Sequence, residues 1–577
     1  MKLFKKMAVA VLLLAIPGMS YAGKYTASNV YGKPWLVISI QDPADSYAAY
    51  NQSPLPARVN ALLQLPMLKE NVDFQKVLLE KEKAEVQLGY KLDLKTFCSM
   101  LGGADLAMYT AEDGEGGVLL ALKIADKEKF ARLLSELEKS KDAEISVNST
   151  SYKDKNIKVA TKGAAAPEIA WVMFSDELFL CGTLDQVKYY IDMSASSQAA
   201  TIESTPEFQK SVSGLPAVKF HSFGYMDYSS LSKAIMSISG SAGAVDSSLM
   251  QQMQEQYGEL YISFGKVAKA DHVELYSFVP TPPSGILADT MSQFKPGRIR
   301  AVEYLPAPNF MAIWQNTFDG EMIWKTIMDT INGVNASMAA QLGANNPVQQ
   351  MEQQIAMFEA VLGFNIKNDL LMGIGPELFF NIGSINGTLI DLTIGFQIRD
   401  ATKVNKVVTG LTNVIKQYMN AAMGADPSQP APNPIITQEF QGVQINSITH
   451  PGLAMFGYAP GFYTDGKYLV IGSSIKSLQD SIRSSKGQMS NIQSQESYRK
   501  VFSFIGTEGN QISVADIRST VQSIETLVMS FMAASWQDSE RQAFTTVTAL
   551  LKTLTVMGSN SSSNDKGTLN RAIIFFE

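Results

Sequence analysis

The chain has 577 residues, 46% of them hydrophobic and 18% charged, with a formal net charge of −7. That length exceeds what one core supports, so at least two domains are required, and the acidic balance disfavours a nucleic-acid partner. Only two cysteines occur, so burial rather than crosslinking must supply the stability.

The chain opens with Met1-Lys-Leu-Phe-Lys-Lys6, then an apolar run from Met7 to Ile16 that Pro17 breaks ahead of Ser20-Tyr21-Ala22. Lysines, a short apolar stretch and small residues form the pattern of a secretory signal peptide over 1–22, cut after Ala22. The run falls short of the ~20 residues that span a bilayer, and no cysteine follows it to carry a lipid. The mature chain is therefore expected to begin at Gly23, to lose Lys2, Lys5 and Lys6, and to be soluble in the periplasm or outside the cell. Later apolar stretches such as Pro376–Phe396 are broken by Gly, Asn and Asp, which argues against membrane helices. The Gln- and Met-rich helical stretches do not read as the serial strands of an outer-membrane barrel.

Helical periodicity covers Ala57–Leu88. Leu88-Gly-Tyr90 and Asp93–Leu106 follow, and they recur as Leu362-Gly-Phe364 and Asn365–Leu378. Strands at Gly117–Ala125 and Thr388–Ile398 come next, each followed by a helix opening at an aspartate, Asp126 and Asp400. Tyr152–Ile157 answers Phe440–Ile445, and Ser175–Thr183 answers Asp465–Ser473. Helical Leu184–Ile191 leads on to Glu207-Phe208, which matches Ser497-Tyr498, while Tyr225–Leu231 matches Val514–Thr520. A terminal hairpin, Leu260–Phe278, is matched by Leu554–Phe575. The series stays in order across both halves, which is the signature of an internal repeat.

Pro280-Thr-Pro-Pro283 and Lys295-Pro-Gly297 prevent regular structure between the copies. The expected organisation is a first repeat at 23–283, a linker at 284–295 and a second repeat at 296–577. Gly424–Pro434 is an inserted surface loop. Short polar turns such as Asp113-Gly, Ser175-Asp-Glu and Asp465-Gly favour hairpins. The expected fold class is α+β: two tandem copies of one domain, each a mainly antiparallel sheet with helices on one face.

This order of parts resembles an uncharacterised bacterial family of exported proteins, described as a domain of unknown function. The resemblance rests on the Leu-Gly-aromatic turn, the Asp-opened helix, the Tyr-Lys-x-x-x-Ile strand and the Gly-Ser/Thr strand ending. It covers most of both halves and brings no catalytic residues to carry over. Cys98 and Cys181 stand where aliphatic residues would be expected.

Sequence chemistry is sparse. His221, His272 and His450 are isolated and lack ligand spacing, so neither a zinc site nor any other metal or cofactor is expected. Acyl-transfer, nucleotide and dinucleotide signatures are missing. Ser230-Leu-Ser-Lys233 and Ser473-Ser-Ile-Lys476 fit Ser-x-x-Lys, but the two do not coincide between copies. Asp227 and Asp516 read as helix N-caps. Gly182 and Gly472 read as turn residues, with Thr183 and Ser474 capping the next helices. Asp105 and Glu377 correspond, and each reads as a solvated acid beside a turn. Methionines recur at 236, 250, 253, 322, 328, 338, 351, 357, 419, 423, 529 and 532, either along helix seams or lining an adaptable apolar groove. Cys98 and Cys181 align with Leu370 and Ile471, so both are expected in a core, with a disulfide between them left open.

The expectation is a non-enzymatic exported protein that binds or scaffolds at the cell envelope, with an envelope protein or apolar ligand as partner. The alternatives are a carrier for lipid or another apolar ligand on Met-rich helices, and an enzyme whose groups assemble without a motif.

Overall fold

The computed structural model describes residues 30–577 apart from 66–68, 111–116, 140–145, 162–168, 197–199, 232–259, 285–287, 289–290, 292–294, 326, 329–346, 387–388, 423–432, 450, 456 and 533–534. The leader and its cleavage site, the Asp113-Gly turn, Lys233, His450 and most of the inserted loop therefore lie outside the described residues, as do Met236, Met250, Met253, Met338 and Met423.

The chain divides into two compact units. The first takes Met1–Gln293 together with Ala533–Thr555 and Ser563–Glu577, and the second takes Phe294–Met532 with Val556–Ser562. In chain order the strands are β1 (Leu36–Ile40), β2 (Leu101–Tyr109), β3 (Gly117–Ile124), β4 (Ser146–Tyr152), β5 (Lys155–Thr161), β6 (Ile169–Ser175), β7 (Leu178–Gly182), β8 (Ser222–Asp227), β9 (Tyr261–Ala268) and β10 (His272–Pro280). They continue with β11 (Gly297–Arg298), β12 (Met311–Asn316), β13 (Ile374–Asn386), β14 (Leu389–Ile398), β15 (Ile435–Phe440), β16 (Val443–Ile448), β17 (Gly461–Thr464), β18 (Tyr468–Gly472), β19 (Glu508–Gly509), β20 (Gln511–Asp516), β21 (Leu554–Asn564) and β22 (Gly567–Phe576).

Every described pairing is antiparallel. In the first unit the order is β4-β5-β6-β7-β3-β2-β1-β8-β9-β10-β22. In the second it is β15-β16-β17-β18-β14-β13-β12-β20-β21, with β11 paired separately to β19. The fold class is thus α+β with an extensive antiparallel sheet.

Local sequence explains the turns. The β4–β5 and β15–β16 hairpins turn on Lys153-Asp154 and Gln441-Gly442, all four residues at positive φ, the conformation that matches the twist of a two-residue hairpin. Gly89 and Gly363 have φ of 75° and 73° just past their helices, where a residue with a Cβ would be strained. Asp126 and Asp400 cap the helices they precede, accepting from the Lys129 and Thr402 amides at 3.0 Å. The expected helix over Ala57–Leu88 is two helices, Leu55–Leu63 and Val72–Leu88.

Strand β22 completes the first unit. It pairs with β10 over nine residues, from His272 opposite Phe575 to Pro280 opposite Gly567. Asn570 Nδ2 donates to Ser277 Oγ at 3.1 Å. Phe576 is buried with Ala268 and Val273 and packs near Leu55 and Ile574. The core of the second unit centres on Trp314, Phe379, Tyr463 and Tyr498, each at most 1% exposed.

Candidate functional site

Most residues singled out by sequence serve structure. Asp227 Oδ1 accepts from the Ser230 amide at 3.1 Å, and Asp516 Oδ1 from the Ser519 amide at 2.9 Å, which is N-cap geometry at both positions. Ser474 caps its helix through Ser477, whereas the Thr183 hydroxyl makes no such bond. Gly182 and Gly472 are not turn residues. They end β7 and β18, where a Cβ would sit 2.2 Å from the Val118 carbonyl and 2.7 Å from Ser477 Oγ, so close approach explains them.

The reading of Asp105 and Glu377 as solvated is overturned. Each lies within a strand and is buried, at 7% and 3% exposure. Burying a carboxyl without hydrogen-bond partners is costly, and a hydroxyl answers each acid: Ser39 donates to Asp105, Tyr468 to Glu377.

His272 lies between two acids, 2.7 Å from Asp271 and 3.2 Å from Glu274, and hydrogen bonding to Glu274 and then Asp271 raises its pKa against the opposing effect of burial. Burial pushes His221 down to about 4, which keeps its ring neutral at pH 7.

Cys98 and Cys181 are free thiols, buried in one core cluster with Leu122, Phe130 and Phe179. Their counterparts differ: Leu370 is half-buried and Ile471 is exposed. Burial pushes both thiols up to about 12, so thiolate, the reactive form, is scarce at neutral pH. We expect denatured, unreduced protein to titrate two thiols. Native protein should react about a thousandfold more slowly than a free cysteine of pKa ~8.5, and labelling at the free-peptide rate would contradict the burial.

Sequence reasoning missed one polar cleft, of about 170 Å³, lined by Gly297, Arg298, Arg300, Asn316, Pro376, Glu377 and Gln397. Glu377 supplies a buried acid whose pKa burial raises, while the Tyr468 hydroxyl and the positive charge of Arg300 pull the other way. Behind it, Tyr468 packs on Tyr304 with ring centroids 4.5 Å apart, and Tyr304 donates to Asp465 at 2.6 Å. The Trp314 indole N–H, 1% exposed as a residue, is directed at the Glu377 carboxyl and also favours its charged form.

Exposed apolar side chains gather on helices. Ile517–Met532 buries no side chain fully and exposes Ile524, Phe531 and Met532, with Phe531 at 67%. Val72–Leu88 exposes Val72, Leu79 and Val86, and Pro347–Leu362 exposes Met357, Phe358 and Val361. No described helix is long and apolar enough to cross a membrane.

Residues 84–424 match the family described as "Protein of unknown function (DUF3352)". The chain belongs to the DUF3352 family. No curated protein matches the sequence. Among solved structures, crystal form III of TP0453 is 6% identical with a TM-score of 0.23, covering 44% of this chain and 79% of that one. Crystal form IV is 8% identical with a TM-score of 0.20, covering 44% and 80%.

In this DUF3352 chain Ser473 and Lys476 take separate partners. Ser473 Oγ donates to the Ile390 carbonyl at 2.6 Å, and Lys476 pairs with Asp480 at 2.6 Å and with Asp391 at 3.6 Å. Ser230, of the other match, donates to Asp227 at 2.6 Å.

Proposed function

We propose that the protein is an exported, non-enzymatic binding protein of the bacterial cell envelope, built from two tandem copies of one α+β domain, that holds a protein partner on its exposed helices. The duplication is supported by strand order, since β15-β16-β17-β18-β14-β13-β12-β20-β21 reproduces β4-β5-β6-β7-β3-β2-β1-β8-β9 element for element. The paired turns at Lys153-Asp154 and Gln441-Gly442 fall at the same place in that order.

The observation that carries binding is the apolar exposure of Ile517–Met532, because contiguous exposed apolar surface marks interaction sites. A bilayer surface is the weaker occupant, since helices that lie on membranes carry a basic polar face. Ile517–Met532 offers Arg518 against Glu525, and Val72–Leu88 has three lysines among four acids. A second reading, a carrier of apolar ligands, draws on Met357, Phe358 and Val361, exposed together on one helix.

The test is native mass spectrometry of full-length protein purified from its own envelope, beside the double variant Ile524→Asp, Phe531→Asp. Both side chains are exposed, so the variant should keep the wild-type circular dichroism and Tm. A partner protein is expected with the wild type and lost from the variant. Equal retention by the variant, or bound lipid alone, overturns the reading, and lipid turns it toward the carrier.

A further inference from the structure

We infer that the cleft around Glu377 binds a small zwitterionic solute of the α-amino-acid type, its carboxylate on Arg298 and Arg300 and its ammonium toward Glu377. The inference stands apart from the helical docking reading, because every lining residue lies between Gly297 and Gln397.

The cleft is assembled from several strands, with its amides seated over glycines. A Cβ at Gly297 would lie 2.4 Å from Asn316 Nδ2, and one at Gly375 would lie 2.6 Å from Gln397 Oε1. Those two glycines make room for two side-chain amides where larger residues would displace them. Gln397 Oε1 accepts from the Glu377 amide at 3.3 Å, which leaves its NH2 group to face the cleft.

Both signs of charge line this small space. Arg298 and Arg300 are exposed and form no ion pair among the described residues, although Glu508 stands opposite Arg298 in the β11–β19 ladder. Glu377 is buried beside them, its carboxyl accepting from the Arg300 backbone amide. A simple oxyanion would gain from the guanidiniums and be repelled by the glutamate, and a simple cation would meet the reverse. A solute carrying both charges one carbon apart answers both signs of charge, and the neutral amides of Asn316 and Gln397 complete its hydrogen bonds. A cleft of about 170 Å³ admits such a molecule and excludes a lipid chain.

The test uses the full mature chain in thermal-shift and calorimetric titrations with the twenty protein amino acids, with acetate and ethylammonium as single-charge controls. At least one amino acid is expected to raise Tm and to bind with a Kd in the millimolar range or below, with both controls much weaker. Arg298→Ala and Arg300→Ala remove exposed side chains and should leave the fold intact, as circular dichroism would verify. Either should weaken binding about tenfold or more, the usual cost of a lost charge-assisted hydrogen bond. Acetate binding as well as any amino acid, binding unaffected in both arginine variants, or no binding by any of the twenty would each overturn the inference.

Discussion

Deleting Gly567–Glu577 is expected to unfold the compact unit that contains the first 293 residues. The deletion removes the nine-residue ladder to β10 and the buried Ile573 and Phe576, at 2% and 8% exposure. Truncating one large buried side chain costs ~2–5 kcal/mol, so losing two approaches the ~5–15 kcal/mol that holds a whole domain together. The bare edge of β10 would also become a template for pairing with other chains. A milder version, Ile573→Asp, places a carboxylate at a buried position of β22 opposite Glu274 and should cost several kcal/mol. Hydrogen exchange followed by mass spectrometry gives the readout. Amides of β9 and β10 should lose protection while β13 and β14 keep theirs, and unchanged protection in β10 would show that β22 is dispensable.

The second large effect is Phe379→Ala, expected to cost ~3–5 kcal/mol as a fully buried aromatic truncation. The Phe379 ring is inaccessible to solvent and packs against Tyr304 and Tyr468 with centroids 6.1 Å and 5.9 Å away. It also covers Gly395, its partner in the β13–β14 register, where a Cβ would sit 2.0 Å from the ring. Urea denaturation should show a lower midpoint with little change in slope, and Phe379→Leu should recover much of the loss. A difference below ~1 kcal/mol between wild type and Phe379→Ala would mean that the site collapses on itself.

Local signals were legible in the sequence. Aspartates before helices became caps at Asp126, Asp227, Asp400 and Asp516, and the glycines after Leu88 and Leu362 became left-handed helix ends, because these effects reach only a few residues along the chain. The fate of Glu377 was not legible. Its hydroxyl partner, Tyr468, is 91 residues away, and nothing in the alternation around Pro376-Glu-Leu378 distinguishes a buried acid from an exposed one. Gly182 and Gly472 read from sequence as turn residues, whereas close approach of neighbouring groups is what requires them. The carbonyl and hydroxyl that exclude a side chain come from other segments. Arg298, Arg300 and Glu377 meet only through strand register, which periodicity does not report. Likewise, alternation identifies β22 as a strand, but the composition of Gly567–Phe576 does not name its neighbour.

The pairing of β10 with β22 also sets a schedule. Ser277 and Asn570 are 293 residues apart, so a chain delivered N-terminus first presents β10 long before β22. Until β22 arrives, the first unit lacks its last strand, with Val273 and Phe278 on an unfinished sheet. During that interval the growing polypeptide is most exposed to mispairing, and a chaperone would find there an open strand to shield. The final eleven residues act as a clasp that fastens last, so a stalled or clipped product betrays itself at its beginning.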